Sequence, residues 1–328
     1  MLGRLLDPWP DHRAERTLGA VSLLVGVAVV AMVAFVAVHA WPTLRHNGAF
    51  SWLGSGGNVD TQLANMQTTG THPAAAAFHV RAWPLLYGTV LTAGIAVVLA
   101  LFLGVLASIF IVELAPARLR RIAIPVIRLL ASVPSVIYGL IGVLVLVPFF
   151  GNHVITGGEK KSVQNVIELT GAGLIVTVVI LTIMITPIIV ALTCEALVSV
   201  PNSWREGAIA LGVNPLRAVL AVTLRAARPA IVAAAVLATA RALGEAIMVS
   251  MVSGSRTFSP KIIDGWVFLF EPLRTLASSI VDYHEGVGSP ALSSTLYAFA
   301  LLMLFSAFVL SVGGYLIKLP LRKYQVRG

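Results

Sequence analysis

Six long, nearly uncharged apolar runs constrain this chain more than any other feature. They cover approximately Thr17–Trp41, Leu85–Glu113, Ile122–Phe150, Gly171–Ala196, Ala230–Gly254 and Leu292–Ile317. A helix needs about 20 such residues to cross the hydrocarbon core of a bilayer. Only helices and closed barrels satisfy their own backbone polar groups in lipid. The runs are continuous rather than alternating, which excludes barrel strands. The expected fold is therefore all-α, a polytopic membrane protein with six transmembrane helices. Composition agrees: 58% of residues are hydrophobic and 11% charged, against about 25% charged in a soluble domain. The first run is too long for the core of a signal peptide and reads as a retained helix.

The 23 Lys and Arg residues are unevenly placed. Fifteen fall in the tails and loops of one side, seven on the other, and Arg241 sits inside the fifth run. The richer side is expected to be cytoplasmic, with both termini there. The net charge of +9 thus reads as topology rather than as nucleic-acid binding. Trp41, Trp83 and Tyr87 stand at run ends, where interfacial aromatics belong. Two external loops are long, Pro42–Pro84 and Ser255–Ala291. The second holds Gly265–Phe270, an apolar hexapeptide too short to span, expected as a re-entrant or surface helix or a docking face. The third run exceeds the length of a span, so its first turns, with Arg121 and Arg128, suit the interface. Pro125 and Pro187 read as kinks. The single cysteine, Cys194, reads as a small buried hydrophobe, and the seven histidines show no ligand spacing.

The loop between the fourth and fifth runs carries helix signals. Ser203 to Glu206 has the spacing of a capping box. Gly212 can close the short helix in the left-handed conformation. Asn214 and Pro215 then suit an N-cap and first-turn proline of a longer helix. Two turns alone are unstable in water, so this segment, with apolar Ile209 and Leu211, needs a surface to lie against.

The stretch "REGAIALGVNPLRAVLAVTLRAARP" resembles the EAA loop of ABC-importer permeases, with Glu206, Ala208, Gly212 and Leu224 matching. Gly207 replaces the first alanine of that pattern, and Arg225 stands where proline is usual. The segments Leu85–Pro116, Leu129–Phe150 and Arg241–Val249 resemble the phosphate-specific (Pst) importer permeases, closer to the C-type subunit. The likeness runs from Leu85 to Arg327 and is weak in the first external loop. The family usually has Thr where this chain has Ala246. The resemblance implies a type I ABC importer permease fold. It implies a core of residues 85–318 with a coupling loop at 197–228, preceded by 1–84 and followed by a cytoplasmic tail, 319–328. It also implies that Glu206, Gly207, Ala208 and Gly212 meet an ATPase. The implied partners are a second, A-type permease subunit, a dimer of ATPase subunits, an external phosphate-binding protein, inorganic phosphate and membrane lipid. No cofactor is expected in this chain, which carries no G-x-x-x-x-G-K-[ST] loop of its own.

Arg241 and Glu245 are the residues that lipid alone would not tolerate. Four apart, they are expected on one face of one helix, in the less favourable order for an i,i+4 pair. A charge at the bilayer centre costs about 2.5–3.5 kcal/mol on insertion scales, so such residues usually face a bundle interior or a water path. A guanidinium fork matches phosphate bidentately, with Glu245 expected to hold or release it. The resemblance points the same way, since the matching Arg and Glu serve phosphate translocation in that family. Gly244 lets a helix or anion approach closely. Pro134 is expected to kink the third span, with Ser132 and Ser135 re-satisfying the freed carbonyl or lining the path. Three rivals remain: an importer of another oxyanion such as molybdate or sulfate, an intramembrane enzyme, and a non-transporting scaffold in which the pair only clasps helices.

Overall fold

The computed structural model describes residues 12–48, 51–54, 58–70, 73–163 and 167–321. Arg4, Arg322, Lys323 and Arg327, counted above for topology, lie outside them. The described residues contain no strand. Twelve α-helical segments are used below. They are α1 His12–Asn47, α2 Val59–Gln67, α3 Trp83–Ile109, α4 Ala117–Ala131, α5 Ser135–Ile141, α6 Gly157–Val163 and α7 Leu174–Val198. Then come α8 Asn202–Ala210, α9 Leu224–Gly244, α10 Ile247–Val252, α11 Leu276–Asp282 and α12 Pro290–Leu321. Six stretches are long and apolar enough to cross a membrane, as the sequence led us to expect.

Spans two and four, α3 and α7, pack along each other, and span five joins them from the side. Span four is the centre of the bundle. Leu181, Ile185 and Ile189 are fully buried there, among Ala96 and Ala100 of span two and Ala238 and Ala242 of span five. Small residues on the neighbours are what let the bulky face of α7 sit so close. Span one stands at the periphery against span six, and Leu23 and Leu24 are about 70% exposed, as lipid-facing side chains are.

A second core caps the ends of spans one and six that adjoin α2. Leu63 and Met66 of α2 pack with Phe78, Leu85, Leu292 and Phe299. The Thr43 hydroxyl donates to Ser294 at 2.9 Å, and Asn47 donates to the Phe78 carbonyl at 2.6 Å while accepting from Val80. Much of the loop between spans one and two is thus folded onto the bundle. Gly265–Leu269 belongs to a 3-10 segment, Ile262–Leu269, that leaves Trp266 79% exposed, while Phe270 just after it is buried against Ile155, Ile167 and Leu169. Cys194 is buried beside Ile111 and Val190.

The third and fifth runs differ from the sequence reading. The third run is two helices rather than one kinked span. Helix α4 is amphipathic, with Arg118, Arg121 and Arg128 exposed, and the membrane-crossing part is Ser135–Val154. The fifth run does not continue to Gly254. It is a 30-residue stretch, Pro215–Gly244, followed by the separate α10. Pro125 and Pro187 break neither α4 nor α7.

Helices α5 and α10 touch where glycine permits it. A Cβ on Gly142, in the turn after α5, would stand 2.5 Å from Val252 Cγ1 and 3.4 Å from Ile180. We expect Gly142→Ala to lower the thermal stability of the purified protein. Gly94→Ala, on α3 with nothing within 4 Å, should be neutral or slightly stabilising, since mid-helix Gly costs about 0.5–1 kcal/mol relative to Ala. Paired thermal-denaturation curves in detergent check this.

Candidate functional site

The candidate residues gather at two interruptions in the helices. The first follows α4. Ser132 is the C-cap, its backbone N–H reaching Leu129 and its hydroxyl donating to the same carbonyl at 2.7 Å. Pro134 then adopts extended backbone and becomes the N-cap of α5, which starts at Ser135. The expected proline kink is therefore a full stop and restart. A proline at a helix start costs no hydrogen bond, because its missing N–H has no intrahelical acceptor anyway. Tyr138 bridges the break by donating from its hydroxyl to the Leu130 carbonyl at 3.1 Å.

The second interruption separates Arg241 from Glu245. Helix α9 ends at Gly244, Glu245 is extended at φ −74° and ψ 112°, and α10 begins at Ile247. The two side chains do not share a helix face, and no Arg241–Glu245 ion pair is present. Glu245 instead accepts from the Met248 N–H at 3.3 Å, capping the outer helix. Arg241 is exposed on the isolated chain, and among the described residues no carboxylate pairs with it. Ala238 and Ala242, which flank Arg241 on α9, share the main apolar core with Tyr138 of the first break. Gly244 does not mediate close packing: nothing lies within 4 Å of where its Cβ would be. It lines an apolar cavity of about 330 Å³ with Met32, Val36 and Met303 of spans one and six. The structure thus packs the Arg241 end of α9 in one core with the start of α5, and places Gly244 at a cavity shared with spans one and six.

Helix α10 is held from outside. Gly173 donates to the Val252 carbonyl at 3.1 Å, and Leu273 donates to the Ser253 carbonyl at 2.9 Å. The Ser250 hydroxyl donates to Asp282, which also pairs with Arg274 Nε at 3.0 Å. Arg274 pairs with Asp60 of α2, donates to the Ser255 carbonyl and lies 5.1 Å from the centre of the Tyr283 ring. Only 8% of the Arg274 side chain is exposed. The sequence reading missed this cluster because Asp60 lies 214 residues from Arg274 in the chain.

On the other end of the bundle, α8 begins at Asn202 after Pro201, with no side-chain cap. The expected Ser203–Glu206 capping box does not form; a proline N-cap takes its place. The C-terminal signals do form. Gly212 adopts φ +85°, Gly212 N–H reaches the Ile209 carbonyl at 2.9 Å, and Val213 N–H reaches Ala208 at 3.2 Å, the Schellman pattern. Asn214 caps the next helix by accepting from Leu216 N–H at 3.0 Å. Glu206 and Gly207 are exposed, Ala208 half-buried. Leu211 is 87% exposed and no residue of α8 is buried, so the chain alone leaves this helix without a covering surface.

Residues 100–318 match the family described as binding-protein-dependent transport system inner membrane component. The chain belongs to that family. It is 33% identical over 228 residues to the probable ABC transporter permease protein YqgH of Bacillus subtilis, covering 69% of this chain and 68% of that one. It is 34% identical over 265 residues to the phosphate transport system permease protein PstC 1 of Mycobacterium tuberculosis, 78% of each chain. A solved chain of the inward-facing MetNI methionine ABC transporter superposes with a TM-score of 0.53 at 18% identity, covering 73% of this chain and 96% of that one. The fold is that of an ABC importer permease, and this family member is a multi-pass membrane protein.

Removing the buried cation should test the outer clasp. Breaking a buried ion pair by deleting one partner costs about 3–5 kcal/mol. We expect Arg274→Met to lower the melting temperature of the purified protein well beyond an exposed control such as Arg118→Met. Thermal unfolding followed by tryptophan fluorescence measures both.

Proposed function

We propose that this chain is one half of the translocation path of an ATP-driven inorganic phosphate importer. The observation that carries the reading is Arg241: a guanidinium at the end of α9, exposed on the isolated chain and without a carboxylate partner among the described residues. In a family whose members pass solutes through the membrane, an uncommitted planar donor fork next to a broken helix suits an oxyanion. The names of relatives and the motifs at Leu85–Pro116, Leu129–Phe150 and Arg241–Val249 support phosphate.

In this reading Arg241 contacts the phosphate. Glu245 keeps α10 capped, so its carboxylate stays near the path without neutralising Arg241. Ser132, Pro134 and Ser135 form the facing wall, and Gly244 ends α9 so that the chain can turn. The Pro215–Gly244 helix joins this site to α8, where Glu206, Gly207, Ala208 and Gly212 meet an ATPase subunit. Exposed Leu211 and Ile209 are the apolar anchors expected of a helix that docks in a groove. A second permease subunit covers the Arg241 face, two ATPase subunits bind on the α8 side, and an external phosphate-binding protein meets the long outer loops. The α8 side and both termini are cytoplasmic. ATP is hydrolysed on the partner subunits, and this chain needs no cofactor of its own. The functional core is residues 85–318.

The test is ATP-dependent uptake of radiolabelled phosphate into vesicles holding the assembled complex. Losing a hydrogen bond to a charged group costs about 1.5–3 kcal/mol, roughly 10- to 100-fold in rate. Arg241→Gln should fall by that much, and Arg241→Lys should fall too, because an ammonium lacks the fork. Normal uptake in both variants at equal assembly would remove Arg241 from the path. Uptake of molybdate or sulfate in preference to phosphate would change the substrate and keep the architecture. Deleting Glu206–Gly212 should leave membrane insertion intact and abolish ATP-driven uptake.

A further inference from the structure

Helix α8 is joined to the bundle by more than its covalent link to span five. Arg205, in the middle of α8, donates from Nη1 to Glu113 Oε2. Glu113 lies in the π-helical turn Phe110–Leu114 that finishes span two. Its side chain is only 5% exposed, that of Arg205 34%. A carboxylate this buried is stable when paired, and leaving it unpaired is costly. The pair is therefore a persistent contact rather than a passing surface bridge. A second cation is close: Arg120 of α4 lines the same polar cavity of about 200 Å³ with Asn202 and Thr223. Arg120, however, donates to the Val112 carbonyl at 3.5 Å, so the guanidinium bonded to Glu113 is that of Arg205.

The setting makes this contact mechanically distinctive. No residue of α8 is buried. Its packing inside the chain runs mainly to the short helix Pro215–Ala218 and the π turn Val219–Thr223, both on the way into span five. Those contacts repeat the connection the chain already makes. Arg205–Glu113 is different, because it leads to span two, which packs along the central span four. Both ends of the linkage sit next to π turns, local widenings that often mark functional positions in helices.

We infer that the Arg205–Glu113 pair is a second linkage through which movement of α8 reaches span two, so that spans two and five shift together when the ATPase moves. Arg205 and Glu113 are positioning residues: they touch neither substrate nor nucleotide. The inference rests on reading α8 as the segment that meets the ATPase.

The experiment uses the assembled complex in vesicles and measures the ratio of phosphate taken up to ATP hydrolysed. The variants are Glu113→Gln, Arg205→Gln, and Glu113→Arg combined with Arg205→Glu. Each single variant should keep hydrolysing ATP while the ratio falls roughly tenfold, the size of a typical coupling between sites. The doubly reversed form should regain most of the ratio. The inference is overturned by an unchanged ratio in the single variants, by uptake and hydrolysis falling in proportion, or by a double reversal no better than the singles. If a single variant fails to assemble, the double reversal decides alone: recovery of the ratio supports the linkage, and its absence sinks it. A parent complex that hydrolyses ATP but takes up no phosphate would sink the phosphate reading only. Stimulation of ATP hydrolysis by the external binding protein then replaces uptake in the comparison.

Discussion

A backbone inside lipid must satisfy its own polar groups, and the places where this chain breaks its helices are governed by that requirement. Between α4 and α5 the exposed ends are closed by the Ser132 hydroxyl, by the Tyr138 hydroxyl and by a proline that has no N–H to satisfy. Between α9 and α10 a carboxylate does the closing, with Glu245 accepting from Met248. Each break uses polar side chains that a lipid-facing helix would exclude. The unusual residues in these spans are thus partly explained by backbone chemistry before any solute is considered. Arg241 is the exception, since the described residues give it no carboxylate partner.

The bundle divides the chain's charges by depth. At the end that carries α2, Arg274 gathers Asp60 and Asp282 and so ties the loop between spans one and two to α11 and α10. At the opposite end, Arg205 pairs with buried Glu113, and Arg128 pairs with Glu195 at 2.8 Å. The last pair is more than half exposed on both sides and is worth little energetically. The first two are buried enough to fix geometry. Each joins segments far apart in sequence, which apolar packing could hold less specifically.

The six spans, the short helix after span four and its glycine stop were legible in the sequence because each rests on a local rule. Apolar length predicts a span, and Gly212 and Asn214 carry conformational preferences that belong to single residues. What was not legible depended on partners far away in the chain. Arg241 and Glu245, read as i and i+4 on one helix, failed because the sequence between them contains no proline to announce a stop; Gly244 was the available signal. The third run looked continuous because α4 is apolar on one face, and the break fell at Pro134, where a kink had been expected. Arg205–Glu113 and the Arg274 cluster were beyond reach, since nothing in a single sequence pairs residues 92 or 214 positions apart.

The unbroken path from Pro215 to Gly244 has a consequence of scale. Thirty helical residues make a rod about 45 Å long at 1.5 Å per residue. The rod is continuous at one end with the turn after α8, and at the other it meets a two-residue joint whose far side, α10, is anchored to the outer loops. Tilted by about 5° about that joint, such a rod carries its far end through roughly 4 Å. The geometry works in reverse as well: a displacement of a few ångströms at the α8 end becomes a small rotation where Arg241 is mounted, four residues from the pivot. A guanidinium there changes its facing rather than its position, which is how a large stroke at one end of a lever can be spent on aiming a single side chain at the other.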